Sequence, residues 1–195
     1  MTRSIRAVAP IVPIIVLLSA CLPTPPSPVC VGFSAPLVPG TSFGAAAGNA
    51  PGDLAFTESG VAVKLESFLQ SNGSTAFNVA SIDNIAVLAA SPPSMRFNNI
   101  AARFDFTGLS FVPSAVKVSY ADFGGSENIA ANGAPATAGD IPGFQGINTG
   151  GAAVTVTQVS SNISSRSGVI EVSGGVKDLL IGGQELWIDE VCAVP

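Results

Sequence analysis

Histidine is absent from this 195-residue chain, and that absence removes whole classes of chemistry. No Ser-His-Asp or Cys-His nucleophilic system can be assembled, nor a histidine-ligated metal centre. Charge is scarce as well: only 11% of residues are charged, and the acidic ones outnumber the basic thirteen to eight. The basic surface that phosphate binding requires is missing, which excludes nucleic acid as a partner. One Trp and one Tyr stand beside eleven Phe, so stacking platforms for a ligand are few. With three cysteines and no histidine a zinc site is poorly supplied. Beyond the first twenty residues no apolar run nears the roughly 20 residues of a spanning helix.

What is present begins at the first residues. No acid occurs before Asp53, while Arg3 and Arg6 precede an uncharged run from Ala7 to Leu18. A basic start followed by a short apolar run is the pattern of a secretory signal. The run is too short for a permanent span, and Pro10 and Pro13 would kink one. Directly behind it stands Leu18-Ser19-Ala20-Cys21, which resembles the lipobox of bacterial lipoproteins. The resemblance implies cleavage before Cys21 and acylation of Cys21 with two or three fatty chains. Each buried methylene contributes about 0.8 kcal/mol, so several chains anchor where one binds only reversibly. Leu22, not aspartate, follows; the family's sorting tendency then implies the outer membrane in a Gram-negative cell, and otherwise the cell surface.

Four of the eight residues from Cys21 to Pro28 are proline, a semi-rigid extended tether. The expected organisation is a signal over 1–20, a lipidated cysteine and tether over 21–29, and one domain over 30–195. Without the signal, six basic side chains remain against thirteen acidic, a balance of −7. With Cys21 lipidated, Cys30 and Cys192 are left as a pair. In an oxidising compartment such a pair is most simply a disulfide, here closing nearly the whole domain.

From Cys30 onward, short alternating stretches are separated by Gly, Asn, Pro and Ser clusters, an all-β pattern. Val61, Val63 and Leu65 alternate with Lys64 and Glu66; Phe104 and Phe106 with Arg103 and Asp105; Val116, Val118 and Tyr120 with Lys117 and Ser119. Further strands are expected at 85–89, 152–160, 169–173, 176–181 and 185–193, with a short helical turn near 67–71. Asn72-Gly73, Asn132-Gly133 and four Gly-Gly pairs mark reversals. The pairs at 174–175 and 182–183 predict a closing meander of three strands. Roughly ten strands in one domain imply a two-sheet antiparallel β-sandwich of jelly-roll type.

Gly52 to Val61 and the closing Gly182-Gly-Gln-Glu-Leu-Trp-Ile-Asp-Glu-Val-Cys192 are similar to the edges of galactose-binding-like jelly rolls, the fold of many carbohydrate-binding modules. That resemblance implies a structural Ca²⁺ held by Asp189 with Asp53 and Asn49, hard oxygen donors suited to the ion. Glycan is a candidate partner, since sugar faces stack on exposed rings, with Phe123, Phe144 and Asn148 of the Gly-rich loops as residues for a site; a chance arrangement of loop residues is the alternative. Asp189 is equally the exposed end of a strand and Asp53 a turn residue.

The loop from Asp122 to Asn128 joins Asp122, Glu127 and Asn128 with two glycines, and with Phe144 these are candidate ligand-binding residues. A cation or polar ligand fits such a loop, and so does a plain strand reversal. Two functional readings follow: a non-catalytic, lipid-anchored binding or structural protein outside the cytoplasm, or an envelope hydrolase working through a carboxylate pair among Asp105, Asp122, Glu127 and Asp140. The first is the expectation, with no catalytic residue assigned.

Overall fold

The computed structural model describes residues 26–34, 36–84, 93–162 and 165–195. The lipobox with Cys21, and the strand expected at 85–89, lie outside the described residues. Along the chain run β1 (Val29–Val31), β2 (Ser42–Gly44), β3 (Leu54–Glu58), β4 (Val61–Glu66), β5 (Phe68–Leu69), β6 (Thr75–Ala76), β7 (Val79–Asp83), β8 (Ser94–Asn98) and β9 (Ile100–Asp105). They are followed by β10 (Ala115–Asp122), β11 (Glu127–Ala131), β12 (Thr137–Gly139), β13 (Asn148–Thr149), β14 (Ala152–Ser161), β15 (Arg166–Ser173), β16 (Asp178–Gly183) and β17 (Leu186–Val194). Two single turns of 3₁₀ helix, Ala45–Ala47 and Ile141–Phe144, complete the regular structure of the described residues.

The chain is all-β, and its two large antiparallel sheets form a sandwich. The larger runs β13-β14-β15-β10-β17-β8-β7-β2, with β1 also on β17; the smaller runs β12-β11-β16-β9-β4-β3. Period-two alternation explains the layering, because successive side chains leave a strand on opposite faces. Val61, Val63 and Leu65 of β4 meet Val116, Val118 and Tyr120 of β10 in one buried core, while Lys64, Glu66 and Lys117 face away. Burying each large apolar side chain contributes about 1.5–3 kcal/mol, which makes this core the main stabilising element.

β17 organises the larger sheet. Its first half pairs with β8 and its second half with β1, while β10 runs along the other side throughout. Between Val118 and Ser119 the register slips and leaves Glu190 as an extra residue with a positive φ of 47°. Such a bulge shifts the strand's phase by one, so Ile188 and Val191 both reach the core. In the β1 pairing Cys30 stands opposite Cys192, their Cα atoms 4.1 Å apart, and the two are joined as a disulfide. First strand and last strand are thereby tied where the Pro-rich segment ends.

Two local expectations are corrected. The segment near 67–71 is no helical turn: β5 pairs with β6 in a hairpin closed around Asn72-Gly73. Nor do the last three strands form a meander, because β15 and β17 belong to the larger sheet and β16 to the smaller. Gly174 and Gly175, both at positive φ, carry the chain across between the sheets. Gly182 and Gly183 lie inside β16, where an added Cβ would meet Ala101 and the Leu186 Cβ at 2.5 Å. Gly182 permits close approach to the neighbouring strand β9 and Gly183 to β17 of the other sheet, and neither makes a reversal.

Candidate functional site

The alternation that places Val116, Val118 and Tyr120 in the core continues to Asp122, so a carboxylate ends the inward row of β10. The chain then leaves the larger sheet through Gly124 and Gly125, at φ 106° and 100°, and enters β11 of the smaller sheet with Glu127 on its inward row. Backbone pairing brings two more charges to this end of the sandwich. Arg166 stands opposite Asp122 on β15, and Gly139, opposite Glu127 on β12, is followed at once by Asp140 at the head of the 3₁₀ turn.

Carboxylate oxygens of Asp122, Glu127 and Asp140 all lie within 4.8 Å of one another. Asp122 and Glu127 are each 1% exposed, whereas the Asp140 side chain is 51% exposed. The Arg166 guanidinium binds Asp140 and lies 3.8 Å from Asp122. Asp122 also accepts a hydrogen bond of 2.7 Å from the Gly124 N–H. Burial pushes the Asp122 pKa up, against the opposing pull of that N–H and of Arg166. Glu127 is driven further, to about 8, by burial first and then by the neighbouring Asp122 and Asp140 carboxylates. The Asp122 carboxyl and the Ile141 N–H both act on Glu127 at short range, yet neither of its oxygens has a partner in hydrogen-bond geometry. Two further buried groups at this end, the Tyr120 hydroxyl and the Ser126 hydroxyl, also lack partners. Burial raises the Tyr120 pKa, and Asp122 adds to the shift.

On the outside of the same loop lies a cavity of about 310 Å³, lined by Asn98, Asn99, Phe123, Gln184, Glu185 and the two loop glycines. The Gln184 amide donates to Asn99 at 3.2 Å and accepts from the Ser126 N–H at 2.9 Å, which fixes the floor of the cavity. Phe123, 36% exposed, stands edge-on to Trp187 with ring centres 5.1 Å apart. Trp187 is held in turn by Asp83, which accepts from its Nε1 at 3.0 Å, and by the Arg96 guanidinium 4.9 Å above its ring. The aromatic edge of the cavity is therefore backed by a Trp187 ring held on both sides.

Of the residues singled out in the sequence, Asp122 and Glu127 come together, with Asp140. Asn128 points to the opposite face, where its side-chain amide exchanges two hydrogen bonds with the Leu69 backbone like an added strand residue. Phe144 is buried in the core, while Asn148 is exposed on β13. Asp189 lies on β17 of the larger sheet, facing away from the core. Asp53 precedes edge strand β3 of the smaller sheet, accepting from the Ala50 N–H at 2.8 Å, and Asn49 accepts from the Gly44 N–H at 3.0 Å. Asp105, also weighed as a carboxylate, holds the Thr107 hydroxyl and N–H at the far end of β9.

No pattern in the sequence points to Arg166, the Tyr120 hydroxyl or the amides of Asn98, Asn99 and Gln184. The only readable signal was an aspartate in phase with the apolar row of β10. No family model, curated protein or solved structure matches the chain, so residue chemistry alone stands behind any reading of this site.

Proposed function

We propose that this protein is a non-catalytic binding protein of the cell envelope, anchored by acylated Cys21, which holds a neutral polar ligand of the glycan class. The binding reading is carried by the cavity beside Phe123, where three side-chain amides and the Glu185 carboxylate border one exposed aromatic edge. Such a set offers donors and acceptors to hydroxyls and an apolar face to a sugar ring. Location outside the cytoplasm is supported by the Cys30–Cys192 bridge, since disulfides persist in oxidising compartments.

The hydrolase reading has one observation in its favour: Asp122 and Glu127 lie close together and Glu127 holds its proton to about pH 8. General acid–base work on a glycoside nevertheless requires the acid to reach the glycosidic oxygen and the second carboxylate to reach the sugar or the attacking water. At 1% exposure each, they are out of a sugar ring's reach.

A glycan array probed with the full chain in detergent is expected to show binding without turnover. Phe123→Ala should lower the affinity about tenfold, the value of one aromatic contact of about 1.4 kcal/mol. A folded protein that binds nothing on the array, or that releases sugar, would sink this reading. In cells, a fatty-acid analogue should label the wild type and leave Cys21→Ser unlabelled; equal labelling of both would remove the anchor.

A further inference from the structure

We propose that Asp122, Glu127 and Asp140 form a binding site for a divalent cation, calcium being the ion that fits, at the end of the sandwich beneath the crossing loop. The inference stands apart from the glycan reading, which concerns the outer side of that loop.

Spacing is the first support. Oxygens that all lie within 4.8 Å of one another can share one ion at calcium–oxygen distances of about 2.4 Å. Charge is the second: three carboxylates face one guanidinium, that of Arg166, so two negative charges remain when all are ionised, and a divalent ion balances them. Donor chemistry narrows the choice, because every donor is oxygen and no soft or imidazole ligand is at hand.

The third support is independent of the clustering. Glu127 is all but excluded from water, points inward, and has a hydrogen-bond partner on neither oxygen. Buried polar atoms are ordinarily satisfied, so two orphaned oxygens on one side chain call for a missing partner. The unpartnered hydroxyl of Tyr120, which feels the charges of Asp122, Asp140 and Glu127, supplies a further neutral oxygen at the same end. Asp140, half exposed, gives the ion a way in from solvent, and Arg166 is the side chain that must yield as it enters. Asp122 sits on β10 and Glu127 on β11, each strand paired on both sides within its own sheet, and Asp140 directly follows β12, so the ligands are largely placed before any ion arrives.

The test is calorimetric and thermal, on the full chain in detergent after exhaustive chelation, with calcium chloride as titrant. One ion should bind per chain and raise Tm by about 5–10 °C at a hundredfold excess over Kd. Asp140→Asn, a surface change that preserves shape, should weaken binding at least about tenfold, since even residues that merely orient a ligand are worth that much. Glu127→Gln should abolish binding, and Asp189→Asn should leave it unchanged. Absence of any heat or Tm shift with calcium overturns the proposal. So does calcium binding that survives both Asp140→Asn and Glu127→Gln, or that Asp189→Asn removes.

Discussion

Replacing both Cys30 and Cys192 by serine should lower the free energy of unfolding by about 5 kcal/mol, because the bridge closes a loop of 162 residues. The loss arises mainly in the unfolded chain, which regains the conformations that tying its ends had removed. Little native packing is disturbed, since the two cysteines face away from the core row formed by Val31, Val191 and Ala193. With a urea slope of about 2 kcal/mol per molar for a domain of this size, the midpoint should fall by about 2.5 M. Dithiothreitol should reproduce the shift in wild type and have no effect on the double variant. An unchanged midpoint in both would show that the bridge does not constrain the unfolded chain.

The second large effect is on pH. In chelating buffer, stability should decline as pH rises from about 4.5 to about 8, contrary to the usual behaviour of carboxylates. The sign follows from Glu127, whose pKa is raised from 4.5 in the unfolded chain to about 8 in the folded protein. Between those values the unfolded state releases a proton that the folded state retains, so every step upward in pH favours unfolding. At about 1.4 kcal/mol per pH unit the full span is worth roughly 5 kcal/mol, with the stabilising contribution complete below about 4.5 and lost above about 8. The groups facing Glu127 are Asp122, Asp140, Arg166 and Tyr120; the raised pKa of Asp122 adds to the slope, while Arg166 stays charged throughout. Glu127→Gln should remove most of the slope when chemical denaturation is followed at pH 5, 6, 7 and 8. A wild-type profile that is level or rises over that range would contradict the burial assigned to this side chain.

Part of the site could be read in the residues themselves. Asp122 continues the alternation of Val116, Val118 and Tyr120, and a carboxylate on an apolar row is conspicuous without coordinates. Its partners are not, because Arg166 and Asp140 arrive through strand pairings with long sequence separations. Asn128 misleads for the complementary reason: it neighbours Glu127 in the chain, and the two-residue period therefore turns it to the other face. Phe144 likewise follows Asp140 within one helical turn yet is drawn into the core, where burying a phenyl ring outweighs displaying it.

The amino-acid sequence by itself determined the strand class and which side of most strands is apolar. Both follow from the local two-residue period, and the cysteine arithmetic matches the bridge. Tertiary structure decided which sheet each strand joins, where β17 bulges at Glu190, and that three carboxylates share one end of the sandwich. Those outcomes depend on backbone hydrogen bonds between distant segments, and a local pattern says which way a side chain points but not what will stand opposite it.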